Sequence, residues 1–294
     1  MGIVAVGRFD GVHLGHQFLL AEARKLAEEE GLPLIAYTFP SRGEALLPLV
    51  AKRALLLRLC DRVIVQDWEA VRGFSPEEFV RGELLGRLRA KGVVLGPNHR
   101  FGRDAAGDVG LLVELGKRFG FRVQVVSPLE LGGELVSSRR IRRLVREGRV
   151  REAGALLGRP PTVFGEPVRG AGLARELGFP TVNLALWPGL VRPRSGVYLA
   201  WAHWPGGEAG GLFYLGARPT FPELPPSAEL HLLRPPSPQG TFEVALFDFL
   251  RPDMRFAGKE ELVRQLARDV EKAKAFFEAA SPPAPILVNP KEAG

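Results

Sequence analysis

Across 294 residues the chain has a single cysteine, Cys60, together with two methionines and three asparagines. One cysteine excludes a disulfide framework and any multi-cysteine zinc site, and it is the usage expected of a reducing cytoplasm. Long apolar runs are also missing: none approaches the roughly 20 residues that a membrane helix needs. The first thirty residues contain Asp10, His13, His16 and Arg24, so neither a spanning helix nor a secretory signal is expected there. No internal repeat is found. What remains is ordinary globular material, 46% hydrophobic and 25% charged, of a length that suggests two domains. The net charge is +7, carried by 32 Arg against 8 Lys. Such an excess suggests an anionic partner, either nucleic acid or the phosphates of small ligands.

The first 157 residues alternate in a βα rhythm. Apolar runs at 3–6, 33–38, 62–66, 93–95 and 122–126 read as strands. Helical patterns at 17–30, 51–60, 76–89 and 109–119 separate them, with Ser75 as an N-cap. This alternation predicts a parallel, doubly wound sheet. A Gly158-Arg159-Pro160-Pro161 linker follows. Beyond it, short runs at 163–164, 196–201, 211–215, 229–233 and 241–249 lie between Gly and Pro clusters, which predicts a small antiparallel barrel or sandwich. Residues 259–279 read as one amphipathic helix. The Pro-rich stretch 281–294 reads as a loosely held tail.

The sharpest feature is Gly7-Arg8-Phe9-Asp10-Gly11-Val12-His13-Leu14-Gly15-His16, placed between a strand and a helix, where α/β sheets bind ligands. Gly11 and Gly15 let a phosphate approach the backbone, and the helix start presents free N–H groups. Two imidazoles there can donate to phosphoryl oxygens and stabilise a pentavalent transition state. A single histidine would more often cap the helix or fill the core; two framed by glycines favour a ligand. Further on, Ser137 and Ser138 can open a helix and bind phosphate, while a guanidinium of the Arg run that follows can hold a triphosphate bidentately, or the run is simply a solvated helix face.

The His-x-Gly-His turn, with Ser-Ser-x-x-Ile-Arg downstream, resembles the nucleotidyltransferase superfamily. The fuller Gly-x-Phe-Asp-Gly-Val-His-x-Gly-His string resembles the adenylyltransferase module of the bacterial bifunctional riboflavin kinase/FAD synthetase family. So does Gly96-Pro97-Asn98-His99-Arg100-Phe101-Gly102. The resemblance implies a Rossmann-like domain over residues 1–157. There His13, His16, Asn98 and Arg142 would act on the reacting phosphates. Gly7, Phe9, Asp10, Gly11, Gly15, Ser137 and Ser138 would bind ATP, and Arg100 would meet the flavin. The chain departs from the family in reading Ser-Ser-Arg for Ser-Ser-Thr, His99 for Phe, and Phe39-Pro40-Ser41-Arg42 for the usual Pro-His-Pro.

The second constellation is Leu177-Gly178-Phe179-Pro180-Thr181-Val182-Asn183. On an extended chain Thr181 and Asn183 point to one side, offering two hard oxygen ligands suited to Mg²⁺. Gly170-Ala171-Gly172 can supply a flexible loop over phosphates, or simply join two strands. Glu229 shares a strand face with His231. It is either a base for a hydroxyl or a surface glutamate on an edge strand. From Thr162 to about Phe277 the chain resembles a flavokinase domain, through Phe-Pro-Thr-x-Asn, Ser195-Gly196-Val197-Tyr198, Glu229-Leu230-His231 and Arg251-Pro252-Asp253. This likeness implies a six-stranded antiparallel β-barrel over 162–280 with a long C-terminal helix. In it Thr181 and Asn183 would serve Mg²⁺ and ATP, with Gly170, Gly172 and Pro180 on the nucleotide. Glu229 would be the base on riboflavin, and Arg251 would lie near the flavin. Ala174 stands where the family has Gly, and the usual Leu-Tyr-Gly turn near 237–240 is absent.

The resemblances imply riboflavin phosphorylation to FMN and then adenylylation of FMN to FAD, with ATP as co-substrate. Two other readings stay open: a single-activity nucleotidyltransferase for another acceptor, and a flavin- or RNA-binding regulator with decayed sites. The basic residues are scattered and lack interleaved aromatics, so nucleic acid is not expected as a partner, nor is a membrane.

Overall fold

Strand β1, Gly2–Val6, is buried at every position, as the central strand of a parallel sheet requires. The computed structural model describes residues 1–170, 173–217, 219–220, 225–234 and 239–287. In it β1 lies between β2 (Leu34–Thr38) and β4 (Ala90–Leu95), with Val4 level with Ile35 and Val93. Strands β3 (Arg62–Val65) and β5 (Arg122–Val125) complete a parallel sheet in the order β3-β2-β1-β4-β5. Helix α1, Leu14–Glu29, buries Leu20, Ala23, Leu26 and Ala27 on one face. It starts three residues earlier than its apolar pattern suggests, because His13 caps it. Helix α2 spans Leu49–Leu57.

The expected helix over 76–89 is an α-turn, α3 (Pro76–Glu78), continued as a π-helix over Phe79–Arg87. The Ser75 cap is reciprocal: Ser75 Oγ accepts from Glu78 N–H, and the Glu78 carboxylate accepts from Ser75 N–H at 2.7 Å. The π-segment contains Gly82 and Gly86 and turns Glu83 inward, where it accepts from the Tyr37 hydroxyl at 3.0 Å and pairs with Arg87. Helix α4 is Val109–Phe119. A hairpin of β6 (Glu130–Leu131) and β7 (Glu134–Leu135) was not foreseen. Its signal is the Gly132-Gly133 pair, both at positive φ.

These elements form one compact unit, Met1–Gly43 with Leu49–Ser138; the second is Glu44–Pro48 with Arg139–Gly294. The compact units divide after Ser138, the first residue of helix α5 (Ser138–Arg146). Helix α6, Val150–Leu157, packs on β13 (Phe242–Arg251), and Val145 of α5 accepts from Arg194 N–H. Those contacts tie both helices to the second unit.

That unit holds a closed barrel, β10-β11-β12-β9-β8-β13, antiparallel at every pairing. Its other strands are β8 (Thr162–Val168), β9 (Val182–Leu186), β10 (Gly196–Trp204), β11 (Gly207–Gly216) and β12 (Ser227–Leu232). A short helix, α7 (Leu173–Glu176), precedes β9. Phe164, Tyr198, Phe213, Leu230 and Phe242 are buried in the barrel. Helix α8, Lys259–Ala279, covers one side, and Gly210 of β11 makes room for the Phe277 ring. Within the described part of the tail, 281–287, two residues are held more firmly than the composition suggests. Ile286 is buried, and the buried Glu243 carboxylate accepts from Ile286 N–H and Leu287 N–H, each at 2.8 Å.

Candidate active sites

The first site grows from the end of β1. Phe9 (φ 49°), Gly11 (φ 80°) and Val12 (φ 43°) all lie in the left-handed region, and for a β-branched valine that conformation is strained. The strained turn sets His13 as N-cap of α1. Its Nδ1 accepts from His16 N–H at 3.3 Å, so neutral His13 carries its proton on Nε2 and can donate it outward. The two imidazoles stack, with centroids 3.5 Å apart and planes 17° from parallel, and Phe9 meets His16 edge-on. A side chain on Gly15 would press on the His13 ring, and one on Gly7 on the Phe9 ring.

Burial drives the His16 pKa well below the ordinary value, helped by His13 and then Lys52. His16 is neutral at physiological pH, and its Nδ1 is buried without a hydrogen-bond partner. A cleft of about 370 Å³ opens beside the pair, walled by Gly7, Phe9, His13, Gly15 and His16 on one side. Asn98, His99, Ser137 and Ser138 face them. Burial lowers the His99 pKa to about 4. The Ser138 hydroxyl donates to the Asp10 carbonyl at 2.9 Å, which ties this wall to the turn.

Not every residue singled out from sequence lines this cleft. Asp10 and Gly11 are buried and are not among the residues walling it. Arg100 is exposed, 3.5 Å from the Asp108 carboxylate, and also lies off the wall. Arg142 sits on α5, in the second unit.

The second site is set by strand register. Glu229 of β12 is level with Asn183 of β9 and Tyr214 of β11. Its carboxylate accepts from the Thr181 hydroxyl at 3.0 Å through Oε2 and from the Ser227 hydroxyl at 2.9 Å through Oε1. His231, two residues along, donates from Nδ1 to the Pro180 carbonyl at 3.0 Å. Gly170 lies so close to the Asn183 amide that any side chain there would collide with it. Gly172 lies outside the described residues.

Thr181, Asn183, Glu229, His231 and Arg251 line a cavity of about 150 Å³ whose remaining wall is largely apolar, from Phe179, Leu212, Phe256 and Leu266. Arg251 is oriented by Asp269 of α8. Its Nε donates to Oδ2 at 2.8 Å, while Gln265 donates to Oδ1 at 2.8 Å. Asp269 is fully buried. Three contributors were missed in the sequence: Ser227, Asp269 and Lys52. Ser227 shares the strand parity of Glu229 and His231. Asp269 stands three residues after Leu266 on the apolar stripe of its helix, where a carboxylate needs a buried partner.

Each unit thus carries a ligand-sized recess of its own, one presenting neutral imidazoles and backbone N–H groups, the other a clamped carboxylate among hydroxyls. A transferase with two separate nucleotide sites is the class this defines. Comparison with known proteins agrees: residues 1–140 match the family model of FAD synthetase and residues 157–277 that of riboflavin kinase. A bifunctional riboflavin kinase/FMN adenylyltransferase from Haemophilus influenzae is 32% identical over 291 residues, covering 93% of this chain and 94% of the relative. Proteins of the same description from Pseudomonas fluorescens (33%, covering 93% and 92%) and Escherichia coli K12 (30%, covering 95% and 94%) are similar along the same length. A solved structure described as a macrolide-efflux protein from Streptococcus pneumoniae superposes with a TM-score of 0.83 at 27% identity, covering 95% of this chain and 94% of that one. Among the described residues no helix is long and apolar enough to cross a membrane. The chain belongs to the bifunctional riboflavin kinase/FMN adenylyltransferase family.

Proposed function

We infer that the chain makes FAD from riboflavin in two ATP-dependent steps, one in each unit. The observation that carries this reading is the Glu229 carboxylate, fixed by two hydroxyls in an apolar cavity of one unit, while a separate imidazole-lined cleft occupies the other.

In the barrel the riboflavin 5′-hydroxyl attacks the γ-phosphorus of ATP, and Glu229 takes the hydroxyl proton as the O–P bond forms and ADP leaves. The Thr181 and Ser227 bonds hold Glu229 in one orientation, so a hydroxyl reaching it meets a lone pair already aimed. Thr181 Oγ1, the Asn183 amide oxygen and Glu229 are hard oxygen donors at one spot. Among the described residues there is no cluster of three or more His, Cys, Asp or Glu. Few protein ligands completed by phosphates suit Mg²⁺, and Thr181 and Asn183 would hold it. Bound there, the ion would neutralise phosphate charge. Arg251, turned to the cavity by Asp269, serves the flavin.

In the first unit an FMN phosphate oxygen attacks the α-phosphorus of ATP; the bond to the β-phosphate breaks and pyrophosphate leaves. His13 donates from Nε2, and backbone N–H groups at the start of α1 meet the anionic oxygens. Because His16 is neutral, the site stabilises charge through dipoles rather than by yielding a proton. Arg142 is assigned to this half-reaction on the family resemblance alone. The adenylyl-transfer half accordingly spans 1–157 and the kinase half 162–280. The matched segments, ending at 140 and starting at 157, support that division. Cys60 is buried, its thiol pushed up to about 12 by burial, which suits a protein working in a reducing cytoplasm.

Incubation with riboflavin, ATP and Mg²⁺, with FMN and FAD resolved by chromatography, tests the reading. Both products accumulate, FMN first. FMN without FAD would support a kinase alone. Salt-sensitive RNA binding with no flavin turnover would replace the enzyme by a regulator.

A further inference from the structure

Lys52, on α2, is 1% exposed and has no part in the two reactions as described. Its ammonium donates to the Arg8 carbonyl at 3.1 Å and to the Phe39 carbonyl at 2.5 Å. The Arg8 carbonyl accepts again, from the Thr38 hydroxyl at 3.0 Å. Arg8 directly precedes the left-handed Phe9. Two donors therefore pin the peptide where the chain leaves β1 and enters the strained turn that sets His13 and His16.

This arrangement works against stability. Desolvation outweighs the attraction of Asp10 and lowers the Lys52 pKa to about 8, against roughly 10.4 for an unfolded lysine. Between those values the unfolded chain binds a proton that the folded chain releases, so stability rises with pH across that window. At neutral pH the buried charge is a burden that an uncharged side chain of similar length would not impose. The titratable groups facing Lys52 are Asp10, from the turn, and His16, from α1. Its charge helps keep His16 neutral, after burial and His13.

We propose that Lys52 is a positioning residue for adenylyl transfer, holding the Arg8 and Phe39 carbonyls so that the 7–13 turn presents the imidazole pair to the triphosphate, with its positive charge behind them. The proposal rests on reading the first unit as the adenylyltransferase. It implies that FAD formation weakens above about pH 8 as Lys52 loses its proton, a limb that FMN formation does not share.

The full-length wild type, Lys52→Met and Lys52→Arg are compared by thermal melting, by hydrogen exchange of the turn amides, and by FAD formation from supplied FMN and ATP across that pH range. Lys52→Met melts no lower than wild type at neutral pH and exchanges faster in the turn. Its kcat/KM for ATP in FAD formation falls roughly tenfold to a hundredfold, with FMN formation unchanged. Lys52→Arg, which stays charged, loses the alkaline limb. Wild-type FAD formation in Lys52→Met, a melting point far below wild type, or an unaltered alkaline limb in Lys52→Arg would each overturn the proposal. A wild type that forms no FAD at any pH overturns the adenylyltransferase reading instead. Melting and exchange then still decide whether Lys52 braces the turn.

Discussion

The two recesses proposed to take ATP are built from opposite materials. In the first unit one wall of the cleft is a contiguous stretch within residues 7–16, with left-handed backbone at Phe9, Gly11 and Val12 and a stacked imidazole pair, and Asn98, His99, Ser137 and Ser138 face it. In the barrel the working groups come from strands far apart in sequence and brought level by register, and the central group is a carboxylate with both oxygens already hydrogen-bonded. A site made of backbone shape fails when its brace is removed. A site made of registered side chains fails when one group is removed and otherwise keeps its form. On the proposed reading, adenylyl transfer needs charge stabilised without a base, the part given to dipoles on the turn. Phosphorylating a hydroxyl needs a proton acceptor, the part given to Glu229 in its apolar surround.

The largest expected effect tests whether the two sites are independent. His16→Ala lowers FAD formation from supplied FMN by about 10²–10³-fold and leaves FMN formation intact. Glu229→Ala lowers FMN formation by about 10²–10⁴-fold and leaves adenylylation of supplied FMN intact. Initial rates of each half-reaction, measured separately, check both. Loss of both activities from either variant in a still-folded protein breaks the comparison.

Next in size is the Arg251–Asp269 pair, the barrel's counterpart of a buried brace. The Arg251 side chain is 13% exposed and that of Asp269 1%. Asp269→Ala leaves a guanidinium uncompensated at the cavity wall, so it should cost about 3–5 kcal/mol of barrel stability and raise the KM for riboflavin. The double variant Arg251→Met/Asp269→Leu restores most of the stability, read by denaturant unfolding, without restoring riboflavin affinity. If it restores both, Arg251 serves packing rather than the flavin. FAD formation from supplied FMN is unchanged throughout.

How much of this was readable in the sequence follows the same contrast. The parallel sheet and the long C-terminal helix follow from the spacing of apolar runs and turn residues. That spacing leaves barrel or sandwich open for the second half, and the flavokinase resemblance implies the barrel. The His13–His16 turn could be read as a site because all its parts are adjacent. The clamp on Glu229 was half readable: Thr181 and Asn183 share a motif, but Ser227 reaches Glu229 only because β12 presents alternate residues to one face. Lys52 looks like an ordinary charge on a helix face, and Asp269 shows only its place on the apolar stripe of α8. Only tertiary packing shows that both are buried and that each holds a neighbour in place. The compact units divide after Ser138 for a reason of the same kind: Pro160 and Pro161 mark a break in local structure, whereas the grouping of α5 and α6 depends on contacts with β13 and the 194 region. The π-helix over Phe79–Arg87 has no sequence signal beyond its two glycines.

The smallest effect concerns acid and the buried histidines of the first unit. In the folded first unit His99 titrates at about 4, whereas an unfolded histidine titrates near 6.5. Between those values the unfolded chain holds a proton that the folded chain rejects, so stability falls as pH drops from about 6.5 toward 4. His16, lowered by the same cause, pulls in the same direction. His99→Phe removes one of these groups and keeps a ring beside Phe101, which His99 already stacks against. Relative to wild type it should gain about 1–3 kcal/mol near pH 4 and nearly nothing at pH 7. Thermal melts at the two pH values measure that difference. Because His99 also walls the cleft, the same variant shows whether its imidazole serves the acceptor. An unchanged KM for FMN assigns it to packing alone. A raised KM with unchanged acid stability would mean that His99 titrates near its ordinary value and faces the ligand rather than the core.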